Sequence, residues 1–218
     1  MFKPGSWINR KRHNRGFGIQ SPSAFFFVTQ VLKERLPYYA YEELDTIAIE
    51  CGGMNREACR RLFRIANEAM PANAIIIGSV TAACAISSAH PATPKMLLTE
   101  RTAIPAGAAR HLESCNCGHM SGDTMQLLEE RLRSCGNAIG ILYIGECHNS
   151  KELLDAALKR TNKDSIIIVE GINRSKEHKE WWQQTISDPR TIVTYDMYSM
   201  GILFFNSERP KQNYTLKI

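Results

Sequence analysis

The spacing of apolar residues along the chain predicts helices first, and then an alternation of short strands and helices. Helical spacing runs through residues 23–36 and 55–70. Short, uniformly apolar runs follow, and they are typical of strands that are buried on both faces of a sheet. These strands are predicted at residues 75–77, 95–99, 139–144 and 165–169, with helices at 81–89, 124–133 and 151–160 between them. A further strand, the third along the chain, is expected to end near Gly122. This order predicts a parallel sheet covered by helices on both faces.

The last two β-rich runs, residues 191–197 and 201–205, are separated by only a few residues. That gap is too short for a helical crossover, so these runs are predicted to pair as an antiparallel hairpin. The sequence shows no internal repeat and no clear linker. We therefore predict one structural unit, in which residues 1–72 form a basic segment and helical extension and residues 73–218 form an α/β domain.

Composition and charge narrow the class of protein. With 44% hydrophobic and 22% charged residues in a chain of 218, the sequence is typical of a soluble globular protein, and no apolar run is long enough to span a bilayer. The seven cysteines are an odd number and predict reduced thiols, so we expect a cytoplasmic protein with no membrane partner. Residues 1–15 hold five basic residues and no acid, which accounts for the net charge of +5. Because the rest of the chain balances to zero, a nucleic-acid partner is not indicated.

The residues that follow the predicted strands are the candidates for ligand binding, because ligands in open α/β sheets bind at the carboxyl ends of the strands. After the first strand comes a glycine turn that opens a helix. An acid stands 22 residues after that glycine, where it can accept both ribose hydroxyls of a nucleoside. The alternative is a turn that only packs the helix closely on the strand. The candidates at the first three strand ends are Gly78, Ser79, Thr81, Glu100, Gly122 and Asp123.

A group of histidine and cysteine residues could suggest a zinc site. His111, Cys115, Cys117 and His119 form the spacing H-x3-C-x-C-x-H. This is not the spacing of zinc fingers or ribbons, and four ligands within so few residues would need a very tight loop. We therefore predict no metal. The neighbours Cys147 and His148 are not predicted to be a catalytic pair either, since adjacent side chains at a strand end point apart.

Several stretches resemble one known family, the class I S-adenosylmethionine-dependent methyltransferases, and more closely a subgroup known mainly from Bacteroidetes. The stretches are HNRGFGIQSP at residues 13–22, LPYYAY at 36–41 and TYDMYSMGILFF at 194–205. The resemblance implies a Rossmann-like, mostly parallel seven-stranded sheet whose last strand is antiparallel, after an N-terminal helical extension. It also implies that S-adenosylmethionine lies over the first two strand ends, with its methionine part at Gly78, its ribose at Glu100 and its adenine beside Asp123.

The chain departs from this family at several positions. The acid that usually stands two residues before the glycine is Ile76, and the later glycine of the turn is Ala82. At the fourth and fifth strand ends, relatives carry aspartates that hold a divalent cation in metal-assisted O-methyltransferases. Here Gly145 replaces the aspartate at the fourth strand end, with Glu146 one position displaced, and Glu170-Gly171 replaces two aspartates at the fifth. Glu170 alone stands where two acids would be, so metal-assisted transfer is not expected.

These observations leave two hypotheses for the function. The first is an S-adenosylmethionine-dependent methyltransferase that acts on a small or macromolecular acceptor. If the chain assembles, we expect a homodimer. In this hypothesis His148 is the base, and Glu146 or Glu170 orients it or binds the acceptor. The second is a catalytically inactive binding protein that keeps the fold, in which His148 is a structural histidine.

The N-terminal segment carries one further expectation. Glycines at positions 16 and 18 allow a tight turn, and Phe17 and Ile19 could then fold back onto the domain. We predict that residues 16–21 are ordered near the carboxyl ends of the strands, with the preceding arginines at the mouth of the site.

Overall fold

The computed structural model describes residues 18–100, 103–134 and 138–217, and its centre is a sheet of eight strands. The spatial order is β3-β2-β1-β4-β5-β7-β6-β8, and only β7 runs antiparallel to its neighbours. The strands are β1 (Ala74–Ile77), β2 (Lys95–Thr99), β3 (Cys117–Ser121), β4 (Ile141–Ile144), β5 (Ile166–Glu170), β6 (Val193–Asp196), β7 (Met200–Phe204) and β8 (Gln212–Thr215).

The predicted hairpin is confirmed, but the predicted number of strands is wrong. Strands β6 and β7 pair antiparallel, and β7 inserts between β5 and β6. The eighth strand adds parallel to β6, with Val193 opposite Gln212 and Asp196 opposite Thr215. This edge strand has the sequence QNYT, in which only Tyr214 is buried. It therefore has no apolar run of the kind that predicted the central strands.

Eight helices, several with a distorted end, pack on the described part of the sheet. They are α1 (Pro22–Phe26), which continues as a π-helix (Phe27–Leu32), α2 (Tyr41–Cys51), α3 (Arg56–Ala69), α4 (Val80–Ala89), α5 (Ala106–Ser114), α6 (Thr124–Ser134), α7 (Ser150–Ala157), which ends in a 3-10 turn (Leu158–Arg160), and α8 (Lys176–Ser187). Ser21 caps α1 by accepting the N–H of Ala24, as predicted. The first helical segment ends at Leu32, earlier than predicted, and α2 was not predicted.

Alternate residues of each central strand enter two separate cores. Ile76, Tyr143 and Ile168 face the layer that is built by helices α1 to α5. The following residues, such as Ile77 and Ile144, face helices α6 to α8. None of the helices in the described ranges is both long enough and apolar enough to cross a membrane.

Helix α8 docks on the second face through a tryptophan and a glycine. The Trp182 side chain is fully buried, and its ring occupies the space where a side chain at Gly201 of β7 would stand. Because the ring would collide with any Cβ there, the hairpin needs glycine at this position. This contact holds α8 against the sheet.

A buried arginine donates hydrogen bonds to the carbonyls at the end of the π-helix. Arg64 is 3% exposed, and it donates from Nε to the carbonyl of Val31 at 2.8 Å and from Nη2 to the carbonyl of Leu32 at 3.0 Å. Such carbonyls at a helix end have no partner within the helix. The Nη1 group donates to the Tyr41 hydroxyl at 3.1 Å, and Nη2 also pairs with Glu57 at 2.8 Å. One side chain thus joins the π-helix, α2 and α3.

We expect Arg64→Ala to lower the free energy of unfolding by about 3 kcal/mol, because it leaves buried acceptors without a donor. Urea unfolding monitored by circular dichroism measures this change. The matched control is Arg56→Ala, since Arg56 is exposed and lies 4.0 Å from its partner Asp45. An exposed pair of this kind contributes less than about 1 kcal/mol. Equal, small effects of the two substitutions would contradict the structural role of Arg64.

Candidate functional site

The loop after β1 is a glycine turn with open space above it. Gly78 has a φ of +78°, and no heavy atom beyond its chain neighbours lies within 4 Å of where a Cβ would stand. Its N–H donates to the carbonyl of Leu98 on β2 at 2.9 Å. Ser79 then caps α4 by accepting the N–H of Ala82 at 3.2 Å. This geometry lets a ligand approach the backbone and the first turn of a helix closely.

The two polar side chains of this turn, Ser79 and Thr81, have different environments. The Ser79 hydroxyl is occupied as the cap of α4 and is also a polar neighbour of Tyr143. Thr81 is 2% exposed, and its hydroxyl donates to the carbonyl of Gly52 at 3.2 Å. Thr81 therefore joins α4 to the loop between α2 and α3 with its side chain.

Glu100 and His148 meet across the end of β1. Glu100 follows β2 and His148 lies in the loop after β4, and these strands flank β1 in the sheet. Oε1 of Glu100 lies 4.0 Å from Nδ1 of His148, with the two side chains 62% and 81% exposed. An exposed pair at this distance is weak, so both side chains can be recruited by a ligand.

Gly122 and Asp123 lie at the end of β3, beside the end of β2. The N–H of Gly122 donates to the carbonyl of Thr99 at 2.9 Å, directly before Glu100. Oδ1 of Asp123 accepts the N–H of Gln126 at 2.9 Å, so this carboxylate caps the start of α6. Asp123 is exposed. The structure thus brings the predicted residues of the first three strand ends to one edge of the sheet.

Gly145 and Gly171, directly after β4 and β5, stand where the backbone leaves little room for a side chain. The N–H of Gly145 donates to the carbonyl of Ile77 at 2.9 Å, and a Cβ at Gly145 would stand 2.9 Å from that same oxygen. Gly171 has a φ of +71°, and a Cβ there would stand 3.2 Å from Cγ of Glu146. A side chain at Gly145 would require the backbone to shift, and one at Gly171 would be strained by the left-handed backbone. In the described ranges, no three His, Cys, Asp or Glu side chains converge as a metal site would require.

Tyr143 is a functional candidate that the sequence analysis missed. It is fully buried in β4, and its hydroxyl makes no hydrogen bond of normal geometry in the described part of the chain. Its polar neighbours are Glu170, at the end of β5, and Ser79. Burial raises the pKa of Tyr143 well above its usual value, and the nearby Glu170 carboxylate adds to this. The available signal was a phenol in a strand that is otherwise entirely aliphatic.

Glu170 is partly buried beside this hydroxyl. Burial raises its pKa, the Tyr143 hydroxyl opposes that change, and the charge of Glu146 adds to it. Glu146 itself is exposed on the neighbouring loop. The ends of β4 and β5 therefore present two carboxylates, one exposed and one partly withdrawn from water.

Arg174 and His178 join the loops after β4 and β5, and neither was predicted from the sequence. Arg174 donates from Nη2 to the carbonyl of Cys147 and from Nε to Nε2 of His178, both at 2.8 Å. Because Nε2 accepts a hydrogen bond, the His178 ring is neutral; burial, and then the charge of Arg174, lower its pKa. The Cys147 thiol lies 3.4 Å from the Ser150 hydroxyl.

The histidine and cysteine group separates into two places. His119 on β3 bonds through Nε2 to the Thr99 hydroxyl at 2.8 Å. His111 on α5 bonds through Nδ1 to Glu43 at 2.7 Å and through Nε2 to Ser88 at 2.8 Å. The Ser88 hydroxyl donates its hydrogen to the carbonyl of Cys84, so it must accept one from His111. Both ring nitrogens therefore carry a proton, and His111 is an imidazolium that joins α2, α4 and α5.

The comparisons with known proteins give a likeness only at the level of structure. No family model and no curated protein matches this chain. A methyltransferase from Geobacter sulfurreducens superposes with a TM-score of 0.60 at 16% identity, covering 83% of this chain and 96% of that one. An O-methyltransferase from Bacillus cereus in complex with SAH superposes with a TM-score of 0.59 at 13% identity, covering 84% of this chain and 97% of that one. TomG, an O-methyltransferase from Streptomyces achromogenes in complex with SAM, superposes with a TM-score of 0.59 at 12% identity, covering 91% of this chain and 99% of that one.

This chain has the class I methyltransferase fold. The expectation from sequence is confirmed at that level, with one more strand than predicted. In this fold, the turn at Gly78 is the turn after the first strand, and Glu100 and Asp123 follow the next two strands. The prediction that residues 16–21 lie near the carboxyl ends of the strands, with the preceding arginines at the mouth of the site, falls partly on residues 1–17, which lie outside the described residues. Of that segment, Ile19 is buried in the core that contains helices α1 to α5.

We expect the His111 ring to titrate near pH 9 in the folded protein. Contact with the Cys115 sulfur raises its pKa by more than burial lowers it, and the Glu43 carboxylate raises it further, to about 9. NMR titration of labelled histidine rings measures the midpoint, and His111→Asn identifies the signal. Glu43→Gln should lower the midpoint, whereas Glu42→Gln, on the same helix, is the matched control. A His111 midpoint near the ordinary value of 6.5 would contradict the assigned imidazolium.

Proposed function

We propose that this chain is an S-adenosylmethionine-dependent methyltransferase. The observation that carries the proposal is the open space above Gly78 at the carboxyl end of β1, within a class I methyltransferase fold. That is where the methionine part of the donor would lie. The acceptor is a small molecule or a macromolecule.

The residues at the first three strand ends fit the donor. Gly78 would let the methionine part approach the backbone, and the start of α4 at Ser79 and Thr81 would offer backbone N–H groups to its carboxylate. The Thr81 hydroxyl is engaged with Gly52, so this residue would contribute through its backbone. Glu100 is exposed and weakly paired, and would accept the ribose hydroxyls. Gly122 and Asp123 would lie beside the adenine.

The reaction needs little covalent chemistry from the protein. The sulfonium supplies an activated methyl group, and the chain positions the acceptor and removes its proton. His148, Glu146 and Glu170 remain our candidates for that task. The first two are exposed, whereas Glu170 is partly buried, so a proton on Glu170 is the better shielded from water. The proposed reaction has no metal-assisted step, because Gly145 and Gly171 stand where metal-assisted relatives carry aspartates, and a side chain at either position would be strained.

The alternative, an inactive protein that keeps the fold, requires the donor crevice to be filled. Of the candidates to fill it, the N-terminal segment falls largely on residues 1–17, outside the described residues, and two side chains lie elsewhere. Ile86 is buried in α4 among the core residues, and Met96 packs against Gly118. Within the described ranges, no atom beyond the chain neighbours of Gly78 closes the space above it. The described residues therefore favour a working donor site.

Calorimetric titration with S-adenosylhomocysteine tests the donor site directly. We expect binding to the native chain and a tenfold to hundredfold loss of affinity in Glu100→Ala, because hydrogen bonds to a charged group contribute about 1.5–3 kcal/mol. The matched control is Glu129→Ala, an exposed acid on α6, which should leave affinity unchanged. Thermal unfolding of each variant confirms that the fold is intact. Absence of binding to the native chain would overturn the proposed function, and unchanged affinity in Glu100→Ala would overturn the assignment of the ribose site.

A further inference from the structure

A cleft at the amino-terminal edge of the sheet is separate from the donor site. Its volume is about 260 Å³, and it lies between α1 with its π-helix, the end of α3 and strands β5, β6 and β7. Ile166 and Val193 begin β5 and β6, and both lie opposite Phe204, the last residue of the antiparallel β7. Gly78 and Glu100 follow the carboxyl ends of β1 and β2. The two sites therefore lie at opposite edges of the sheet.

The floor of the cleft is a group of aromatic rings. Phe27 and Tyr195 are 8% and 2% exposed, and their ring centroids are 4.9 Å apart. The Phe204 ring lies edge to face with that of Phe27, at 5.2 Å. An apolar cavity of about 150 Å³ holds benzene, so this larger cleft has room for an aromatic ring with several further atoms. Aromatic rings also prefer edge and offset contacts with one another, and the floor offers both a ring face and ring edges.

Two side chains of opposite charge line the same cleft. Glu68, near the end of α3, and Arg209, in the turn after β7, are both exposed at its rim. Within the described ranges, no ion pair includes either of them, and Glu208 next to Arg209 pairs with Lys163 instead. A ligand that carries an ammonium and a carboxylate group offers a partner to each of these charges.

The π-helix beside the cleft is an independent sign of a functional site. It spans Phe27–Leu32, so its first residue contributes a ring to the floor. π-helical segments are rare and frequently occur at functional sites. Phe26, directly before the π-helix, also lines the cleft and is 47% exposed. Exposed apolar surface beside an apolar cleft is typical of ligand binding.

We propose that this cleft binds a free amino acid with an aromatic side chain. The ring of the ligand packs against Phe27, Tyr195 and Phe204. Its ammonium group donates hydrogen bonds to Glu68, and Arg209 donates hydrogen bonds to its carboxylate. This inference does not rest on the proposed methyltransferase function. Because the cleft and the donor crevice lie at opposite edges of the sheet, the amino acid binds without displacing the donor.

A terminal residue of a peptide shares only part of this chemistry. An N-terminal residue keeps the ring and the ammonium group but has no carboxylate, and a C-terminal residue keeps the carboxylate but has no ammonium group. The rim of the cleft offers one charge of each sign. A free amino acid uses both charges, so it is the ligand that fits the cleft best.

Calorimetric titration with L-phenylalanine tests this site. We expect binding to the native chain. N-acetyl-L-phenylalanine, which resembles a C-terminal residue, and L-phenylalanine amide, which resembles an N-terminal residue, should each bind at least about tenfold more weakly, because each lacks one charge-assisted interaction. L-Alanine has no ring and should show no measurable binding. Absence of L-phenylalanine binding, or equal affinity for either derivative, would overturn the inference.

Substitutions at the rim locate the binding. Glu68→Gln and Arg209→Gln should each weaken L-phenylalanine binding by about tenfold. The matched controls are Glu129→Gln and Arg133→Gln, two exposed positions on α6, which should leave affinity unchanged. Ala69→Phe places a ring in the cleft and should abolish binding. Thermal unfolding confirms that each variant is folded, and unchanged affinity in both rim variants would overturn the inference even if Ala69→Phe fails to fold.

The donor also contains an amino-acid group, so L-phenylalanine could instead enter the crevice above Gly78. A titration in the presence of saturating S-adenosylhomocysteine separates the two sites. We expect the affinity for L-phenylalanine to stay unchanged. Loss of binding under these conditions would place the amino acid in the donor crevice, which would overturn this inference and support the proposed function. Binding of L-phenylalanine that depends on Glu68 and Arg209, in a chain that does not bind S-adenosylhomocysteine, would overturn only the proposed function.

Discussion

The close approach of the β1 and β4 backbones at their carboxyl ends is the constraint on which the site depends. The N–H of Gly145 reaches the carbonyl of Ile77 at 2.9 Å, and the N–H of Gly78 reaches Leu98 of β2 at 2.9 Å. These bonds hold the turn after β1 between its two neighbours, with Gly78 in the left-handed region. The turn therefore keeps its shape without a ligand, and the space above it stays open.

The backbone at the ends of β4 and β5 leaves little room for a side chain at positions 145 and 171. A side chain at Gly145 would collide with the carbonyl of Ile77, and Gly171 has a left-handed backbone. The carboxylates beside these glycines are Glu146, which is exposed, and Glu170, which ends β5 and is partly buried beside Tyr143.

The sequence predicted the central sheet because its strands are uniformly apolar, as at residues 75–77 and 165–169. The third strand was expected only by its end near Gly122, and β8 was not predicted, because the sequences CGHMS and QNYT are largely polar and carry little apolar signal. Helix α2 was missed although Tyr41, Leu44, Ile47 and Ala48 have helical spacing and are buried. The glycine turn and Glu100 could be proposed from position alone. The role of Gly145 could not, because it arises from contact with Ile77, a residue far away in the sequence.

A crystal structure of the native chain with S-adenosylhomocysteine tests the central claim most directly. The account predicts that the homocysteine part lies over Gly78, that the Glu100 carboxylate accepts the ribose hydroxyls, and that His148 has moved away from Glu100. It also predicts that the thioether sulfur faces the ends of β4 and β5, where Glu146, His148 and Glu170 lie. A structure in which the ligand binds elsewhere, or in which the protein's own side chains fill the space above Gly78, would contradict the account.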